Sequence, residues 1–101
     1  MRIPTTFKLA DRSWEVVDMP DEVAEMGDRH GDCCKERAKI RLHTNSDRPD
    51  EMVSSTYFHE LAHALLYYTT KPKLSDNEAF VDSLGAALHQ YEQTKKGNLR
   101  G

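Results

Sequence analysis

Residues 52–68 read Met52-Val53-Ser54-Ser55-Thr56-Tyr57-Phe58-His59-Glu60-Leu61-Ala62-His63-Ala64-Leu65-Leu66-Tyr67-Tyr68. Met52, Val53, Tyr57, Leu61, Ala64, Leu65 and Tyr68 recur at three- and four-residue intervals, the period of a helix with one apolar face. The spacing predicts a helix over about 50–68. Within it, His59-Glu60-Leu61-Ala62-His63 forms an H-E-x-x-H pattern. At ~100° per residue, histidines four apart differ by only about 40° around the axis and ~6 Å along it, so both imidazoles can reach one ion. Glu60 is turned about 100° from His59. It stands beside the ligand row, where its carboxylate can reach a water on the ion without taking a coordination position.

A catalytic zinc takes three protein ligands and leaves the fourth position for water, so one more ligand must come from elsewhere. Downstream, Pro72 interrupts the helical pattern. Ser75 then offers a cap for a second helix with Glu78 three residues on, a capping-box spacing, and Phe80, Val81, Leu84, Leu88 and Tyr91 continue an apolar face. Two antiparallel helices with a short connection would bring Glu78 to the histidine row as the third ligand. The competing reading is a carboxylate that serves only Ser75. Asp82, one turn further along, can accept the N–H of a liganding histidine and set its tautomer, or it is simply a solvated helix residue. Gly85, Ala86 and Ala87 are small enough for the second helix to lie close against the first. His30, His43 and His89 read as ordinary surface or strand residues, with His43 and His89 as the remaining candidates for a transition-state partner.

Upstream, Phe7 and Leu9, then Trp14 and Val16, alternate with polar residues on either side of a turn at Ala10-Asp11-Arg12-Ser13, which reads as a hairpin over 5–19. After Pro20, the acidic start and Gly27 end of residues 21–27 suit one or two helical turns. Residues 31–43 form a second hairpin candidate, its later strand at 38–43 alternating Ile40 and Leu42 with Arg41 and His43. Turn formers fill 44–49 and lead into the long helix. The tail from Lys95 is expected to fray. The expected class is α+β: a small antiparallel sheet packed on two helices, the first carrying the histidines and the second the glutamate.

The 101 residues leave room for a single domain with one core. Fourteen basic against seventeen acidic residues give a net charge of -3, and the basic residues are interleaved with acids, so no nucleic-acid footprint is expected. No apolar run is long enough to cross a bilayer, and the N-terminus lacks an export signal, so the expected location is the cytoplasm. Cys33 and Cys34 are adjacent. A bridge between neighbours is strained, and the pair lacks the spacer of a metal-binding thiolate pair, so both are expected to be free thiols in small, partly buried positions.

Tyr57-Phe58-His59-Glu60-Leu61-Ala62-His63-Ala64-Leu65-Leu66 with Asn77-Glu78 and Asp82 resembles the gluzincin pattern, in which a helical H-E-x-x-H is completed by a glutamate on a following helix with an acid four residues later. At this length the chain is similar to minigluzincins and to the compact core of ImmA/IrrE-type metallopeptidases of phages and mobile elements. The resemblance implies one zinc per chain held by His59, His63 and Glu78, and a zinc-bound water activated by Glu60 for peptide hydrolysis. It also implies an approximately three-stranded antiparallel sheet whose edge strand pairs with an extended peptide or protein substrate. Residues 38–43 are the candidate edge. Minigluzincins also resemble latent forms in which part of the chain covers the cleft, a role open to the tail after Lys95. The alternative to an enzyme is a zinc-stabilised interaction or regulatory module without turnover. Glu60 separates the two, because a structural site has no use for a carboxylate beside an open coordination position.

Overall fold

Strand β1 (Thr6–Leu9) turns into β2 (Arg12–Asp18) through two residues, Ala10 and Asp11, with φ of 49° and 63°. Two successive positive φ values make the tight connection whose twist matches the flanking strands, so the turn is shorter than the four residues expected. The computed structural model describes residues 3–27, 29–44 and 48–95. Helix α1 (Asp21–Gly27) opens with two acidic residues and ends at its glycine, and it carries the chain over to the second hairpin, β3 (Gly31–Cys34) and β4 (Lys39–Leu42).

The sheet has four strands in the order β1-β2-β4-β3. β1 pairs antiparallel with β2, β3 antiparallel with β4, and β2 parallel with β4. It is therefore a mixed sheet, not the three-stranded antiparallel one expected. After α1 the chain enters at the outer strand β3 and reverses through the hairpin, so β4 comes back beside β2 in the parallel sense. The expected edge is also corrected: β4 lies inside the sheet, paired with β2 on one side and β3 on the other, and its Ile40 and Leu42 are 0% and 2% exposed in the core shared with α2. The edge beside the long helix is β3.

The long helix α2 (Asp50–Tyr67) lies across one face of the sheet. Trp14, Ile40, Leu42, Tyr57, Phe58 and Ala64 form the core between them, and Trp14 Nε1 donates to Tyr68 Oη at 3.1 Å. On its other side α2 meets α3 (Glu78–Lys95), where Ala62, Leu66 and Val81 are buried. Two sides of α2 are thus covered, which is why Ser54 and Glu60 are buried along with the apolar stripe. Met52, expected on that stripe, is 51% exposed.

Two glycines set how closely α2 is held. A Cβ on Gly85 would lie 3.0 Å from His59 Cα and 3.1 Å from the Phe58 carbonyl oxygen, so only glycine lets α3 rest on the backbone of α2 at the histidine. Ala86 and Ala87 face outward. On the opposite side, a Cβ on Gly31 would come within 2.8 Å of Thr56 Cγ2, so β3 too is pressed against α2. Between α2 and α3 the chain forms a 3-10 helix, Pro72–Asp76. Ser75 lies inside it and does not cap α3. Asn77 does, its Oδ1 accepting from the Phe80 N–H at 3.1 Å. The expected capping box is thereby replaced, and Glu78 is left free to face α2.

Candidate metal centre

His59 and His63 occupy successive turns of α2, with ring centroids 5.1 Å apart. Glu78 is the first residue of α3 and its carboxylate reaches both rings: Oε2 is 3.2 Å from His59 Nε2, and Oε1 is 3.2 Å from His63 Nε2. One donor atom from each of the three lies within 4.8 Å of the others, and the group can hold a metal ion. Glu78 is 66% exposed while the histidines are mostly covered, so the cluster opens to solvent on the α3 side.

The remaining ring nitrogens decide what the cluster needs. His59 Nδ1 is 2.8 Å from Asp82 Oδ1, and His63 Nδ1 is 2.5 Å from the Ser75 carbonyl oxygen. Both partners are acceptors, so each Nδ1 carries the proton and donates. In a neutral imidazole Nε2 then presents only a lone pair. Two lone pairs and a carboxylate consequently face one another at 3.2 Å. Such an arrangement calls for a second proton on the rings or a cation among the three groups. Asp82 thus lies against the ring of His59, the neighbour its spacing suggested.

Ser75 was not legible as a site residue. It is wholly buried and grips His63 twice, since its carbonyl accepts from the ring while its Oγ donates to the His63 carbonyl at 2.8 Å. That Oγ in turn accepts from Lys35 Nζ at 3.1 Å, and Lys35 also pairs with Asp76 at 3.2 Å. The turn after β3 is thereby tied to the 3-10 helix that orients His63. A serine in a capping-box spacing gave no hint of this, because the tie depends on where the 3-10 helix docks.

Glu60 is 8% exposed and lines an open cleft of ≈ 450 Å³ together with His59, His63 and Glu78. Burial pushes its carboxyl up to about 7, the Asp32 and Glu78 carboxylates add to the rise, and His59 opposes it. The opposite wall is the edge strand, with Gly31, Asp32 and Cys33. Cys33 and Cys34 are free and half-buried, as expected; burial, with Glu60 nearby, pushes the Cys33 thiol up to about 12. His43 pairs instead with Asp21 at 2.9 Å, and His89 stacks on Phe58 at 5.4 Å. Neither borders the cleft. The cations that do are Arg29 and Lys35. The tail at 96–101, considered as a cover for the cleft, lies outside the described residues.

No family model matches the chain, and neither a curated protein nor a solved structure matches it. Among the described residues, no helix is long and apolar enough to cross a membrane.

Proposed function

We propose that the chain is a zinc-dependent metallopeptidase of gluzincin type, with His59, His63 and Glu78 as ligands and Glu60 as general base. The observation that carries this reading is the pair of Nε2 lone pairs facing a carboxylate, with both Nδ1 protons already committed. Zinc suits the donor set. Two imidazole nitrogens and one carboxylate are a ligand set that zinc takes where it keeps a further position for water. Zinc bound there would supply a Lewis acid for the scissile carbonyl and lower the pKa of water towards neutrality.

The chain's own groups account for the rest. Glu60, buried beside the cluster but outside its ligand row, is placed to accept a proton from the attacking water and return it to the leaving amine. Asp82 and Ser75 hold the two imidazoles in one tautomer and orientation, and they leave the outer side of the cluster open for substrate.

The edge strand provides a place for a peptide. His43 N–H donates to the His30 carbonyl at 2.9 Å. Antiparallel pairing alternates, so the main-chain groups of Asp32 and Cys34 turn towards β4, while those of Gly31 and Cys33 turn to the open side. An extended peptide can pair with these two residues, directly across the cleft from Glu60.

The test is metal content and turnover together. Purified protein should carry about one zinc per chain, and Glu78→Ala should lose most of it. Glu60→Gln should keep the zinc and lose ~10²- to 10⁴-fold in hydrolysis of unstructured peptides. Zinc-loaded protein that cleaves nothing across a broad peptide set would instead be an interaction or regulatory module. Protein that binds no zinc would overturn the assignment entirely.

A further inference from the structure

Beyond the β3 edge, on the sheet face turned away from α2, lies a second groove of ≈ 360 Å³. It shares Arg29, Asp32 and Cys33 with the catalytic cleft, so the two hollows meet across the edge strand. Its lining carries four cations, Arg29, Arg37, Lys39 and Arg41, against two carboxylates, Asp32 and Glu36. That is a local excess of positive charge on a chain whose net charge is -3.

The two carboxylates offset only part of this field, and two cations are left over. Asp32 is held by Arg41 through both Nε and Nη2, and Arg29 Nη1 stands 3.6 Å away. Arg37 and Lys39 form no ion pair among the described residues, although Glu15 lies opposite Lys39 in the register of β2. Side chains on a strand alternate between faces. Cys33 lies opposite Ile40 on the α2 side, whereas Asp32 and Cys34 lie opposite Arg41 and Lys39 on the groove side. A peptide paired with β3 would alternate in the same way. Every second side chain would face the metal cluster, and those between would hang over the groove, where cations outnumber carboxylates four to two.

We propose that this groove is a subsite for acidic side chains, so that the preferred ligand is an extended peptide with Asp or Glu at alternate positions. The proposal rests on β3 as the docking edge, and its test reads binding, so it stands or falls separately from turnover. The probes are end-blocked peptides of one neutral sequence bearing two Glu, two Gln or two Lys at alternate positions, added to zinc-loaded Glu60→Gln protein and followed by fluorescence anisotropy. Each exposed charge pair contributes no more than about fivefold, so the Glu peptide should bind about tenfold tighter than the Gln peptide in low salt, and the Lys peptide should bind more weakly than either. In 1 M salt, where the screening length is ~3 Å, the Glu and Gln peptides should approach parity. The double variant Arg37→Glu with Lys39→Glu should lose or reverse the preference while keeping its zinc. Equal binding of all three peptides, tightest binding of the Lys peptide, no binding of any, or a preference unchanged in the double variant would each overturn the proposal. Wild type that binds the Glu peptide but hydrolyses nothing would overturn the peptidase assignment and leave the acidic subsite standing.

Discussion

Glu60 carries a cost in the metal-free protein that Gln would not. Its carboxyl has an ordinary value of 4.5 and is pushed up to about 7 by burial, with Asp32 and Glu78 adding to the rise. Because the folded value is the higher one, the folded state holds this proton more tightly than the unfolded chain. Below pH 4.5 both states are protonated and the contribution to stability is complete. As the pH rises from there to about 7, the unfolded chain releases its proton first and stability falls; beyond that, the loss is constant. At about 1.4 kcal/mol per pH unit, the interval amounts to about 3 kcal/mol. Gln is close to protonated Glu in size and never ionises. Metal-free Glu60→Gln should therefore match wild type near pH 4 and exceed it by about 3 kcal/mol at pH 8. In a domain of this size that means a melting temperature higher by ~10 °C or more. The assay is urea denaturation of both proteins across this range with a chelator present, comparing midpoints at each pH. A difference that does not change with pH, or a wild type more stable than the variant at pH 8, would refute the argument that burial raises this group.

Two other substitutions examine the scaffold around the cluster. Ser75→Ala removes the buried hydroxyl that bonds the His63 carbonyl and receives Lys35 but keeps the carbonyl that holds the His63 ring, so it should cost ~1–3 kcal/mol in denaturation while zinc, measured with a chelating dye, is still bound. Gly85→Val puts a branched side chain where a Cβ already meets His59 Cα at 3.0 Å; it should cost ~1–3 kcal/mol in denaturation and lower zinc affinity by moving α3, and Glu78 with it, away from the histidines.

Local periodicity accounts for what was legible beforehand. The recurrence of apolar residues across 52–68 placed α2 within one residue of its observed end, and helical geometry alone put His59 and His63 on one row with Glu60 beside it. Alternation located both hairpins, and Gly27 located the end of α1. Each of these depends only on residues a few positions apart. The spacing of Glu78 and Asp82 also marks them as one face of a helix, and the need for a third donor points to Glu78 over a capping role, but no local pattern shows that this face meets α2.

Tertiary packing decided the rest. Gly85 allows α3 to lie on the backbone of His59, and that contact brings Glu78 to both Nε2 atoms and Asp82 to Nδ1. The replacement of Ser75 by Asn77 as the cap could not be read from the capping-box spacing, because the choice depends on a 3-10 helix docking against His63. Strand order was equally out of reach. Ile40 and Leu42 alternate as a strand with one buried face would, and alternation says nothing about whether a strand is an edge or an interior one. The parallel pairing of β2 with β4 joins residues more than twenty positions apart, and it is this pairing that leaves β3, with the main-chain groups of Gly31 and Cys33 turned away from β4, as the strand bordering the cleft. The sequence by itself determined the donor atoms and their helical rows. Their convergence, and the strand across from them, came from long-range contacts that no local pattern encodes.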